Sequence, residues 1–185
     1  VNNPRRRAKQ AAMNRTKEIM ERLIRAAMGE MKADLIVTGG KLINVYSGEI
    51  CDGSEIAVLD GRICYVGPSA RHTRGEATEI LDASGCWIAP GFIDAHTHIG
   101  HYCRPYEHLQ SYLPCGTTAL VASCDELGSV FGPRGLKFFL DEVESHPLRV
   151  YTLLTMVAPQ DPELCNTATF SDADVASALA DPRVL

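Results

Sequence analysis

The chain has 185 residues, a formal net charge of −5, 45% hydrophobic residues and seven cysteines. A balance this near neutral argues against general nucleic-acid binding, and no apolar run reaches the ~18 residues of a membrane-spanning helix. The cysteines include no Cys-x-x-C pair, which argues against the common zinc modules and redox motifs; buried, reduced thiols and a cytoplasmic location are expected.

The charge is uneven, with eight Lys/Arg against two Glu in residues 1–25. Residues 1–14, with Arg5-Arg6-Arg7, read as a disordered, solvated basic arm rather than a nucleic-acid or membrane contact. Over 15–32 the residues Ile19, Met20, Leu23, Ile24, Ala27 and Met28 recur at helical spacing. This predicts an amphipathic helix whose apolar stripe docks on the sheet domain or on a partner subunit. Residues 33–88 hold five or six short strands separated by Gly39-Gly40, Ser47-Gly48, Asp52-Gly53, Asp60-Gly61 and Gly67-Pro68. Asp60-Gly61 between two apolar runs is a hairpin signal, because both residues accept the positive φ of a tight turn. The block reads as a small antiparallel, β-sandwich-like domain.

From Cys86 onward the pattern becomes strand–helix alternation, as a parallel α/β unit requires. Strands are predicted over 86–95, 117–123 and 149–157. Helices are predicted over 105–113, 133–145 and 171–180, the second with Leu136, Phe139, Leu140 and Val143 inward. Ser171 followed by Asp174 predicts a capped start for the last helix. Residues 89–185 thus read as about three βα units, and the fold class is α/β.

The chemistry concentrates where the first of these strands ends, Ala89-Pro90-Gly91-Phe92-Ile93-Asp94-Ala95-His96-Thr97-His98. Side chains alternate along a strand, so His96 and His98 share a face and Thr97 takes the other. Two imidazoles so placed can converge on one divalent cation. His72 and His146 sit in polar turns and read as surface residues. Cys124, beside Asp125 and Glu126, reads as an inert packed thiol because acidic neighbours disfavour the thiolate.

These ten residues resemble the first barrel strand of the amidohydrolase superfamily, metal-dependent hydrolases built on a (β/α)8, TIM-like barrel. The short strands upstream, Ala33–Gly40, Ile56–Gly67 and Ile80–Gly85, follow the same order. Within the superfamily the likeness is strongest to adenine deaminases, through the basic helix, Leu113-Pro114-Cys115-Gly116-Thr117-Thr118 and Asp125–Gly132. It extends over residues 15 to 160. The resemblance implies hydrolytic deamination of adenine, or a similar purine-like base, to hypoxanthine and ammonia. It further implies a divalent metal, manganese or iron before zinc, with His96 and His98 as ligands. The expected partners are a small nucleobase-like substrate and further copies of the chain, with no nucleic acid and no membrane.

Two places depart from the adenine deaminase pattern. Where those enzymes continue the His-x-His with Ile-Glu-Ser, this chain has Ile99-Gly100-His101. Where they carry Asp-Pro-His-Glu, it has Ser123-Cys124-Asp125-Glu126. A compensating exchange would make His101 a third ligand and let Asp125 or Glu126 supply the catalytic acid. A complete barrel needs about 250 residues, so this chain is expected to be the first part of a longer enzyme and inactive by itself. The competing readings are an amidohydrolase acting on a cyclic amide or N-acyl bond, dihydroorotase-like, and a non-catalytic scaffold remnant.

Overall fold

Helix α1 spans Pro4–Ala27, starting eleven residues before the predicted position. The physical reason lies in residues 8–13, Ala-Lys-Gln-Ala-Ala-Met, all strong helix formers, with proline at the helix start. The computed structural model describes the backbone of residues 4–154 and 168–185, and side chains from residue 15 onward within that span. Residues 1–3 of the predicted arm, and 155–157 of the predicted third strand, lie outside it. The chain divides into two units, Val1–Pro90 and Gly91–Leu185.

In the first unit, α1 turns its Ile19, Leu23, Ala26 edge inward, while Met20, Ile24 and Met28 remain exposed. It packs on a strand of its own unit, β5 (Arg62–Gly67), and Arg22 pairs with Asp60 at 2.8 Å. The seven strands of this unit begin with β1 (Leu35–Thr38), β2 (Lys41–Asn44), β3 (Glu49–Cys51) and β4 (Glu55–Leu59). After β5 come β6 (Glu79–Asp82) and β7 (Trp87–Ile88). They form sheets of order β5-β4-β1-β6 and β3-β2-β7. The predicted hairpin joins β4 and β5, with φ of 52° at Asp60 and 68° at Gly61.

The sheets are mixed, not antiparallel as predicted. β1 pairs with β6, and β2 with β7, in parallel. Tight turns dictate antiparallel neighbours, and those are visible in sequence; the parallel pairs arise where the chain returns after a long crossover, which local patterning does not reveal.

The second unit starts after Ala89-Pro90-Gly91, which splits the predicted 86–95 strand into β7 and β8 (Phe92–His98). Gly91 is needed there because a Cβ would lie 2.2 Å from the Thr118 side chain. Helix α2 (Pro105–Leu109) leads to β9 (Thr117–Ser123), which pairs in parallel with β8. Next, α3 (Asp125–Phe131) fills the stretch between the predicted strand 117–123 and the predicted helix 133–145, where no element was expected, because Asp125 and Glu126 favour a helix start. Helix α4 (Pro133–Glu144) packs against α3 so closely that a Cβ on Gly135 would meet the Leu127 carbonyl oxygen at 2.0 Å. β10 (Arg149–Leu153) completes a parallel sheet of order β10-β9-β8.

Helix α5 (Asp172–Ala178) begins with the predicted Ser171/Asp174 capping box. Val184 then bridges Thr152 in parallel, adding one residue beyond β10. The described residues of this unit therefore contain a parallel sheet of three strands with one isolated parallel bridge at its edge, not a closed barrel. Phe139, Leu136, Leu140 and Val143 of α4 close the core against Leu120, Ala122 and Val150 of the sheet. No helix among the described residues is long and apolar enough to cross a membrane.

Candidate metal centre

β8 and β9 run side by side and end level, His98 opposite Ser123. Chemistry-bearing groups in α/β sheets gather at such carboxyl ends, where the following loops converge. β8 reaches that point through a bulge. From Asp94 to Thr97 it advances three residues while β9 advances two, Leu120 to Ala122. The extra residue lies beside His96, whose N–H donates to its neighbour Asp94 Oδ1 at 3.2 Å. A bulge of this kind re-aims a side chain, and the His96 and His98 rings meet edge to face with centroids 5.1 Å apart. Thr97 takes the opposite face and shares a 3.0 Å hydrogen bond with the Tyr112 hydroxyl, itself packed on the core.

Beyond His98 the chain bends and brings His101 back over the same spot, 5.3 Å from His98 between ring centroids. The first turn of α3 supplies the carboxylates. His98 Nδ1 donates to Glu126 Oε1 at 2.7 Å, and His101 Nδ1 stands 2.5 Å from the same oxygen. Glu126 is largely buried, at 16% side-chain exposure, which shields this pairing from water.

Asp125 Oδ1 lies 3.1 Å from His98 Nδ1 yet is buried with no hydrogen bond. Both observations hold because one ring hydrogen cannot point at two carboxylates, and that of His98 points at Glu126. The Glu126 hydrogen bond holds the His98 imidazole above its ordinary pKa of 6.5, against burial and with help from Asp125. Burial pushes the Asp125 carboxyl up, but the Ser123 hydrogen bond and the His98 charge outweigh it, and the net direction is down.

His98, His101 and Glu126 each place a ligand atom within 4.8 Å of the others. Two imidazole nitrogens and a carboxylate oxygen suit a divalent metal, and the orphaned Asp125 oxygen beside them is a further unsatisfied acceptor. The residues present thus fit such an ion. Every sequence-predicted site residue is gathered here, with His96 at the exposed margin. The β8 bulge and the Thr97–Tyr112 bond went unpredicted. Only the tyrosine left a trace in sequence, fourteen residues after a His-x-His.

The other candidates lie elsewhere. His72 is exposed as predicted, but its Nε2 meets the Ala27 carbonyl at 2.9 Å and pins the end of α1. His146 is half-buried, which lowers its pKa. Cys124 is buried and its thiol is pushed up to about 12 by burial. The expectation that most cysteines are buried does not hold: Cys86, Cys103 and Cys115 are exposed, because they sit at turns and strand margins.

No family model matches the chain. It is 41% identical over 170 residues to adenine deaminase 3 of Rhizobium meliloti (strain 1021), covering 91% of this chain and 29% of that protein. It is 37% identical over 166 residues to adenine deaminase of Cenarchaeum symbiosum (strain A), covering 90% and 27%. The chain thus spans less than a third of the length of these curated relatives. Among solved structures, an N-acyl-D-glutamate deacylase from Bordetella bronchiseptica in complex with zinc and a phosphonate inhibitor is 22% identical with a TM-score of 0.51, covering 79% of this chain and 34% of that one. Molinate hydrolase is 19% identical with a TM-score of 0.51, covering 68% and 31%. The structural matches speak for the fold. The sequence similarity is to adenine deaminases, over about nine tenths of this chain.

Proposed function

We propose that this chain provides the first part of a metal-dependent hydrolase that deaminates adenine, or a similar purine-like base, to hypoxanthine and ammonia. The observation that carries the reading is His98 at the end of β8 paired with Asp125 and Glu126 in the first turn of α3, with the His96 ring beside it, in a chain 41% identical to an adenine deaminase. His96 and His98 would hold the ion, with manganese or iron ahead of zinc. When bound, the ion polarises the bond under attack and lowers the pKa of a water molecule.

The protein side chains divide the remaining work. Asp125 is ionised at neutral pH and keeps one oxygen free of hydrogen bonds. It takes a proton at Oδ1 as water adds to the ring carbon bearing the exocyclic amine, then delivers it to the departing nitrogen. Ammonia leaves and a carbonyl remains, so one water is consumed. Glu126 orients His98 by its hydrogen bond, fixing which ring nitrogen carries hydrogen. A cytoplasmic location and a homo-oligomeric state complete the reading. The free thiols among the described cysteines and the exposed Met20, Ile24 and Met28 on α1 support them.

The test is metal content together with ammonia release from adenine, on protein expressed from the complete reading frame. Bound metal with ammonia is the expected outcome. Metal without ammonia would sink the deaminase assignment and turn the search to cyclic amides.

A further inference from the structure

We infer that Tyr102 is the surface on which a planar, purine-like base stacks beside the metal centre, and so a determinant of substrate affinity. The inference rests on the deaminase reading above and deepens it, since that reading assigns the ion and the protons but nothing to the flat faces of the base. Its ground is the place of the ring. Tyr102 is 92% exposed, the most exposed large apolar side chain of the second unit among the described residues. Its ring centroid nevertheless lies 5.8 Å from that of His101, with the planes tilted by 36°. The His101 ring in turn stands 5.3 Å from that of His98, whose Nδ1 is 3.1 Å from Asp125 Oδ1.

The loop that carries the ring is held at both ends. Ile99 is fully buried directly after β8, and Pro105 is fully buried where α2 begins. Arg104 donates from Nε to Glu142 Oε2 at 3.0 Å and from Nη2 to Glu142 Oε1, a two-pronged pairing with a side chain only 12% exposed. Between these anchors Gly100 passes over the first turn of α3, where an added Cβ would lie 3.7 Å from Glu126 Oε2. A stiff aromatic side chain on an anchored loop loses little conformational freedom when a ligand settles on it.

The exposed ring also selects the chemistry of its ligand. A purine-like base has flat π faces to lay on it, and its polar edge stays free for the ion and Asp125. A puckered cyclic amide offers no such face. Stacking of one base on an aromatic side chain changes affinity by about five- to 150-fold and needs the ring, not the hydroxyl.

The experiment uses metal-loaded protein expressed from the complete reading frame. Tyr102→Leu should raise KM for adenine at least about fivefold with kcat within about threefold, because a stack holds ground state and transition state alike. It should weaken hypoxanthine binding in equilibrium dialysis by a similar factor and leave the metal content unchanged. Tyr102→Phe keeps the ring and should match wild type within about twofold in both measurements. So exposed a side chain can be exchanged without disturbing the core. A leucine variant equal to wild type, a phenylalanine variant as weak as the leucine one, or loss of metal from the leucine variant overturns the inference. Wild type that binds no hypoxanthine overturns it too. Ammonia release alongside any of those results leaves the deaminase reading standing. Ring-dependent hypoxanthine binding without ammonia release sinks that reading and keeps the stacking surface.

Discussion

The two units solve the burial problem differently. The first buries a cluster of Ala33, Ile36, Ala57 and Ala70, mostly small side chains, and leaves Tyr46, Ile50, Ile63 and Trp87 exposed. The second closes around Phe139, Leu120, Leu109 and Ile99, all at 1% exposure or less. The metal-ligand candidates belong to the second. A site is only as well positioned as the side chains behind it, and Ile99, directly after His98, is fully buried. The catalytic candidates therefore hang from the unit with the larger buried cluster, although both units keep apolar surface open, Phe92, Ile93 and Tyr102 among it in the second.

Cavity-forming substitutions should expose that asymmetry most. Phe139→Ala should cost about 3–5 kcal/mol in denaturant unfolding of the second unit, because its neighbours are too tightly packed to collapse. Ile36→Ala should cost about 2 kcal/mol in the first unit, where alanines and an open surface can relax. Equal losses would break the comparison. Glycine substitutions extend it at a smaller scale. Gly135→Ala must push α3 away from α4, since the clash is with the Leu127 carbonyl oxygen, and should cost about 1–3 kcal/mol. Gly61→Ala meets no atom within 4 Å and should lose only the ~1 kcal/mol of its positive φ. Thermal melts of the two variants decide whether backbone crowding or backbone conformation matters more.

The legible parts of the sequence were those where a local pattern has one structural solution. Thr117–Ser123 is a strand over the predicted range, α4 buries the predicted Leu136, Phe139, Leu140 and Val143, and Ser171/Asp174 caps α5. Asp60-Gly61 turned the chain where its φ preferences said it would. The parallel partners β6 and β7 were not legible, because crossover pairing is decided far along the chain. At the site, His-x-His spacing announced the two imidazoles, and a departure from the adenine deaminase pattern pointed to His101, Asp125 and Glu126. Which carboxylate meets which ring was not legible. It depends on the angle at which α3 leaves β9, and that angle follows from packing against α4.

Tyr112 offers a smaller and more pointed test of whether packing behind the site sets its geometry. Its hydroxyl bonds Thr97 on the face away from the histidines, next to the β8 bulge. Tyr112→Phe should lose about 1 kcal/mol, one net hydrogen bond. Thr97→Val should lose a similar amount, and the double variant little more than either alone, the signature of one shared interaction. If the losses add instead, the bond does not hold the bulge and the histidines owe their placement to the strand alone.

The smallest effect concerns the margin of the same core, where the chain returns to the sheet. Arg183 donates from Nη1 to the Leu140 carbonyl at the end of α4 and from Nε and Nη2 to Asp181. Those Arg183 hydrogen bonds hold the Asp181 carboxyl below its ordinary 3.8. A carboxylate with a depressed folded-state pKa stabilises the fold above its unfolded value, and that contribution fades as the pH drops through the folded value. Asp181→Asn should therefore lower Tm by a small amount near pH ~7 and by less at acid pH, as wild type loses the same charge on the way down through the folded value. Both groups are partly exposed, so high salt should shrink the neutral-pH difference. A Tm loss of equal size at neutral and acid pH would mean that Asp181 acts by hydrogen-bonding shape rather than charge. The edge of the second unit would then be held, like its centre, by packing geometry.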